Sequence, residues 1–295
     1  MLLIKNVKIV DPSSPFHGKQ RDVFIRKGHI EDIQSNISIL RAKVINAKGA
    51  ILSPGWLDVG VQVGDPGFEY REDIQTATAA AAAGGYTGIL CLPNTSPVTH
   101  SKSEVVYLKN RTKGGLVDCY PIGAVSRHCK GEDLTEMNDM YHAGAVAFSD
   151  GLEAIQDNGL MKRALLYAKS FDGIIINRPH DKSLAAAGQV HEGLVSTTLG
   201  MKGIPAIAEE MMLRRDIYLA QYTDSRLHLA NLSAAAAIPA IKEARQEGIK
   251  VTAHVAVMNL LFTDEEIKHF DTHFKVLPPL REKKDLKALL RALKN

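Results

Sequence analysis

The 295-residue chain has little cysteine, a single tryptophan and no long apolar run. Its three cysteines, Cys91, Cys119 and Cys129, form neither a CxxC pair nor an even framework. That removes a disulfide scaffold and points to a reducing compartment, the cytoplasm. No stretch reaches the roughly 18 apolar residues that a membrane span needs. Met1 leads straight into LLIKNVKIVD, without the apolar core of a signal peptide. Lys and Arg (36) nearly balance Asp and Glu (33), leaving a formal charge of +3 with no long basic block. Neither nucleic acid nor a membrane is therefore expected as a partner. No GxGxxG follows the first strand, and AAAAAGGYTG stands at a helix end, where glycine caps and does not cradle phosphate.

What is present is a 45% hydrophobic chain with a clear rhythm. Residues 1–50 read as a small β-sandwich region, with alternating apolar and β-branched positions in LLIKNVKIVD, RDVFIRKGHIEDI and KVINAKGAIL. From residue 51 the pattern becomes strand, loop, helix, repeated. Seven apolar runs, at 51–63, 86–92, 116–124, 144–149, 173–177, 226–231 and 249–256, are separated by helical patterns. This alternation predicts a parallel sheet with helices outside. A (β/α)8 TIM barrel closes with eight strands in about 250 residues. After the seventh run, TDEEIKHF and KVLPPLREKKDLKALLRALKN supply no eighth. The expectation is an α/β chain: a barrel over 51–295, incomplete at its C-terminus. Either a longer natural chain or a partner would cover the open edge.

In a parallel barrel, function gathers where strands end. Asp58, Gly60 and Gln62 share one strand face, a spacing suited to two histidines gripping a divalent metal. Here it supplies one carboxylate, a hydrogen atom and a neutral amide. Cys91 reads as a buried core thiol, His228 as a structural hydrogen-bonding group, and the Met211–Met212 pair as core.

LSPGWLDVGVQVGDPGFEYREDIQTATAAAAAGGYTGILCLPNTSPV resembles the dihydroorotases of the amidohydrolase superfamily. AVAFSDGL, VHEGLVSTTLGMKGIPAIAEEMMLRRDIYLA, RLHLANLSAAAAI and VTAHVAVMNLLFTDEE follow that family in order and spacing. The likeness spans the whole chain and implies an amidohydrolase-type barrel and a place in pyrimidine biosynthesis. It also implies hydrolysis of a cyclic amide at one or two zinc ions, a possible homodimer, and aspartate transcarbamoylase as a possible partner. The family's zinc histidines fall at Gly60 and Gln62, its carboxylate-gripping arginine at Gly64, and further histidines at Arg178 and Asn231. Val257, Met258 and Asn259 replace a proline and two histidines, and the catalytic aspartate lies beyond residue 295. Asp58, Asn94 and Asp150 survive.

The resemblance therefore implies a degenerate site. Zinc takes three or four N, S or O ligands, and the family's chemistry rests on a metal-bound water whose pKa is lowered towards about 7. Asp58 and Asp150 alone are a hard oxygen pair suited to weak Mg²⁺ or Ca²⁺ binding. The missing arginine removes a charge-assisted grip of about 2–3 kcal/mol. The expected function is a non-catalytic scaffold or regulator with no cofactor; a third, metal-free option is a small-molecule binding module in which Asn94 and Arg178 contact an anionic ligand. The alternative is an active dihydroorotase or related cyclic-amide hydrolase with a relocated metal site of Asp58, Asp150, His180 and His254.

Overall fold

Leu3, Val7, Ile9 and Val23 are buried in β1 (Leu2–Ile9) and β2 (Gln20–Arg26), which pair antiparallel. β3 (His29–Gln34) extends the sheet antiparallel to β2, while β4 (Lys43–Asn46) and β5 (Ile51–Leu52) both run parallel to β1. The computed structural model describes residues 1–294. A first unit, Met1–Trp56, contains this five-stranded sheet, and a second begins at Leu57.

The apolar run at 51–63 thus divides. Its first two residues join the N-terminal sheet, and the first barrel strand, β6, is Trp56–Val61. The break falls at Ser53-Pro54-Gly55, where proline has no N–H for a continuing ladder.

The second unit holds a seven-stranded sheet. β7 (Tyr86–Cys91), β8 (Asp118–Gly123), β9 (Ala147–Phe148), β10 (Ile174–Asn177), β13 (Arg226–Leu229) and β14 (Val251–Ala253) pair in parallel, with β6 beside β7. A separate parallel pair, β11 (Val190–His191) and β12 (Gly203–Ile204), lies between β10 and β13 in sequence. Helices α1 (Ile74–Ala83), α2 (Lys102–Arg111), α3 (Met137–Ala143), α4 (Asn158–Lys169), α5 (Lys182–Ala185), α6 (Leu194–Thr198), α7 (Ile207–Thr223) and α8 (Ala237–Gln246) fill the connections. Their starts are written in the sequence: Asp73, Ser101, Asp157 and Asp181 each cap a helix through a side-chain oxygen on a backbone N–H.

Alternation sorts the strand residues into two layers. Phe148, Ile175, Leu227, Leu229 and Val251 pack with helix residues such as Met140, Leu165, Leu213 and Ala240. Leu90, Ile122, Ala147 and Ile176 form a separate cluster, joined by Ala230. Removing one fully buried leucine such as Leu213 costs about 2–5 kcal/mol. In the same alternation, His228 stands between Leu227 and Leu229 on the opposite face.

The sheet is an incomplete (β/α)8 barrel, as its seven-strand rhythm implies. β6 and β14 end the strand order, and among the described residues no strand joins them. After β14 the chain makes α9 (Met258–Leu261), two 3-10 turns and α10 (Lys283–Ala292). No helix among the described residues is long and apolar enough to cross a membrane. One packing expectation fails: Met212 is buried, but Met211 is 52% exposed, because consecutive helix residues point about 100° apart.

Candidate functional site

The mouth of the barrel begins at the end of β6. Asp58 is exposed there, yet enough protein surrounds it that desolvation lifts its carboxyl above the usual range, opposed by the Val59 backbone. Gly60 has φ +98°, a left-handed conformation that disfavours any side chain. A Cβ on Gly64 would stand 2.4 Å from the Phe68 carbonyl oxygen and 2.6 Å from that of Glu72. The turn's own backbone occupies the space an arginine would need. Asp65, buried beside it, accepts from the Tyr107 hydroxyl at 2.8 Å and Arg111 at 3.3 Å, which pins the turn. Gln62 is exposed.

Asp150 follows β9 and is buried. Its Oδ1 accepts the Ser126 backbone N–H at 2.8 Å and its Oδ2 the Ser126 hydroxyl at 2.5 Å. Burial raises its pKa, and the Ser126 bonds oppose that rise. Asn94 is spent on the same loop: its Nδ2 donates to the Asp150 carbonyl at 3.1 Å, and its Oδ1 accepts from the Leu152 N–H at 2.9 Å. The structure therefore employs Asn94 as a loop tether, where the sequence suggests a ligand contact.

At the ends of β13 and β14 the polar groups satisfy one another. His254 Nε2 lies 2.8 Å from Asn231 Oδ1, His254 Nδ1 lies 2.7 Å from His228 Nε2, and His228 Nδ1 lies 2.8 Å from Thr252 Oγ1. With the Asn231 oxygen as acceptor, protons assign themselves along the line: His254 donates to Asn231, His228 to His254, and Thr252 to His228. The rings stack with centroids 5.0 Å apart. Burial pushes both pKa values down to about 4, helped at His228 by its neighbour, so both rings are neutral at pH 7. Neither ring nitrogen of His254 is left for a metal. The role foreseen for His228, a structural hydrogen bond, extends here into a four-residue chain.

On the β10 side, Arg178 donates through Nη2 to the Leu152 carbonyl, and its Nε is shielded from water without a hydrogen-bond partner. Burial lowers its pKa, with Glu153 the opposing charge. Burial first, and then the charges of Arg178, Arg281 and Lys182, lower the pKa of the His180 ring, opposed by Asp181. The His180 backbone N–H meets Met212 Sδ at 3.1 Å. Asn259 is buried with its Nδ2 on the Pro279 carbonyl at 3.1 Å, and Val257 is exposed.

These placements test the fit of a metal. No three of Asp58, Asp150, His180 and His254 bring ligand atoms within 4.8 Å of one another; among the described residues only His191, Glu282 and Asp285 do. Sequence reasoning missed that trio because its members lie some 90 positions apart without a spacing signature. It is a poor metal site. Arg281 Nη1 meets His191 Nδ1 at 3.0 Å, which puts the imidazole proton on Nε2 and a guanidinium charge beside the cluster. The mouth does not fit the zinc centre that the resemblance implies. Cys91 is a buried thiol whose pKa is raised by its Cys119 neighbour and by desolvation, not a nucleophile.

A family model described as dihydro-orotase-like matches residues 49–237. A protein named dihydroorotase from Pelotomaculum thermopropionicum is 46% identical over 294 residues, taking in 99% of this chain and 68% of that one. Another of that name, from Acetivibrio thermocellus, is 42% identical over 295 residues, with 100% and 69% covered. Among solved structures, the L-hydantoinase (dihydropyrimidinase) of Arthrobacter aurescens superposes with a TM-score of 0.86 at 21% identity, over 100% of this chain and 66% of its own. That likeness is one of fold. The chain spans about two thirds of the length of the proteins it matches.

Proposed function

This chain belongs to the dihydroorotase-like family of amidohydrolases, and from that premise we propose that it is a non-catalytic member whose barrel serves as a scaffold or regulator. The observation that carries the reading is the donor set at the mouth. Gly60 and Gly64 offer no side chain, and the backbone around them is shaped to glycine. His254 is bonded at both nitrogens, and Asp150 is held by Ser126 at both oxygens. A metal would have to break those bonds to gain two or three ligands, fewer than a zinc centre uses.

By the same reading, the protein acts in pyrimidine biosynthesis by organising a partner, for which aspartate transcarbamoylase is the candidate the family resemblance supplies. Mixing the two and measuring particle mass is expected to show a complex; an unshifted transcarbamoylase removes that partner. For the chemistry, turnover between dihydroorotate and carbamoyl aspartate is expected to stay at background in both directions with added zinc, manganese or magnesium.

A second reading, a working cyclic-amide hydrolase with a relocated site, is favoured by one observation: the 46% identical relative carries the name dihydroorotase. It requires metal-dependent turnover that Asp150→Ala abolishes.

A further inference from the structure

We propose that the cavity between the β7–α2 and β8–α3 connections is a binding site for a nucleoside monophosphate. None of its lining residues is a mouth position described above, so the inference stands whether or not the mouth is catalytic.

The cavity holds about 780 Å³, within the range of small-molecule sites. The start of α2 supplies His100 and Lys102, the β8–α3 connection supplies Arg127, His128 and Glu136, and α3 supplies Asp139. Most of these charges lack a partner. Among the described residues, the side chains of Lys102, Arg127 and Asp139 have neither a hydrogen bond nor an ion pair, and Glu136 accepts from the Tyr167 hydroxyl at 3.3 Å. Two cations and two carboxylates thus line one cavity without an ion pair across it. The space between them suits a molecule that both signs can grip.

The imidazoles add a planar surface. The His128 backbone N–H donates to His100 Nδ1 at 3.2 Å, and the ring centroids lie 4.3 Å apart. His128 is held at φ +56° and Cys129 at +55°, a left-handed conformation uncommon outside glycine. Residues held in such conformations cluster at ligand sites. The exposed His128 ring offers a face on which a base can stack, as histidine does in RNA-binding modules. The Arg127 fork and the Lys102 ammonium suit a phosphate. A carboxylate of Glu136 or Asp139 suits the ribose hydroxyls, the pairing that dinucleotide folds use. The first turn of α2 is itself no anion site, since Ser101 caps it and Glu104 adds negative charge.

The test is calorimetric titration of the whole protein with adenosine and uridine 5′-monophosphate, ribose 5-phosphate and inorganic phosphate. At least one nucleotide is expected to bind about tenfold more tightly than ribose 5-phosphate, the contribution of one stacked base, and inorganic phosphate more weakly still. His128→Gly removes the ring at a position whose φ glycine adopts without strain, so the fold is kept. It is expected to weaken nucleotide binding about tenfold and to leave ribose 5-phosphate binding unchanged. Arg127→Gln is expected to weaken both about tenfold or more. Absence of nucleotide binding, a nucleotide bound no more tightly than ribose 5-phosphate or phosphate (an adventitious ion only), or wild-type nucleotide affinity in either variant overturns the proposal.

Discussion

Replacing Gly64 with alanine perturbs the mouth by one methyl group, and the structure fixes what that methyl meets. The new Cβ would stand 2.4 and 2.6 Å from two backbone carbonyl oxygens, where real Cβ contacts essentially never fall under 3.0 Å. The Phe68 carbonyl belongs to the turn that Gly64 itself closes through the Phe68 N–H at 2.6 Å, the Glu72 carbonyl lies four residues beyond it, and Asp65 ties the turn to Tyr107 and Arg111. The turn has little freedom to retreat. Overpacking of this kind costs about 1–3 kcal/mol, and weakening the Phe68 bond adds about 1 kcal/mol. The sum, about 2–4 kcal/mol, corresponds to a fall in melting temperature of roughly 5–15 °C for a unit of this size. Urea unfolding followed by far-UV circular dichroism measures it, with Gln62→His, on an exposed position, as the control expected within about 0.5 kcal/mol of wild type. Gly64→Ala behaving like that control would refute the view that the backbone has closed over the arginine position. The same geometry predicts that the combined Gly60→His, Gln62→His, Gly64→Arg protein is destabilised further and still gains no stoichiometric zinc.

Other expectations follow from the polar chain and its neighbours. His228 and His254 titrate near 4 when folded against 6.5 in the reference state, so the unfolded chain binds more protons between those values. Stability from the pair is full above about 6.5 and is lost as pH falls towards 4, by up to about 3 kcal/mol for each ring. Asp216, buried between Arg215 and Asn177 and pushed up to about 6 by burial, acts oppositely: its contribution is present below 3.8 and lost as pH rises through 6. Urea midpoints measured from pH 7 to 4.5 should therefore fall on acidification, and the fall should shrink in His228→Gln. Asn94→Ala is expected to cost about 1–3 kcal/mol by releasing two backbone partners of the loop at 150–152, seen as faster amide exchange at Leu152.

The barrel was legible because its signals are local. Alternation in RLHL separates Leu227 and Leu229 from His228, and Asp73, Ser101, Asp157 and Asp181 announce helix starts. The division at Ser53-Pro54-Gly55 was legible in its proline but lost inside a continuous apolar run. That Gly60, Gln62 and Gly64 offer little to a metal is plain in the sequence; how closely the backbone packs around Gly64 is not. That packing comes from carbonyls four and eight residues further on, which approach Gly64 only once the turn has folded. The line from Thr252 through His228 and His254 to Asn231 depends on the register of two neighbouring strands, and Asn94 finds its partners across 56 and 58 residues. Spacing cannot encode such encounters.

Metal stoichiometry, measured by mass spectrometry on protein purified from zinc-, iron- and manganese-replete cells without chelator, tests the central claim most directly. The donor set described here predicts far less than one transition-metal ion per chain. One tightly held ion per chain, retained through dialysis and lost in Asp150→Ala, would contradict it.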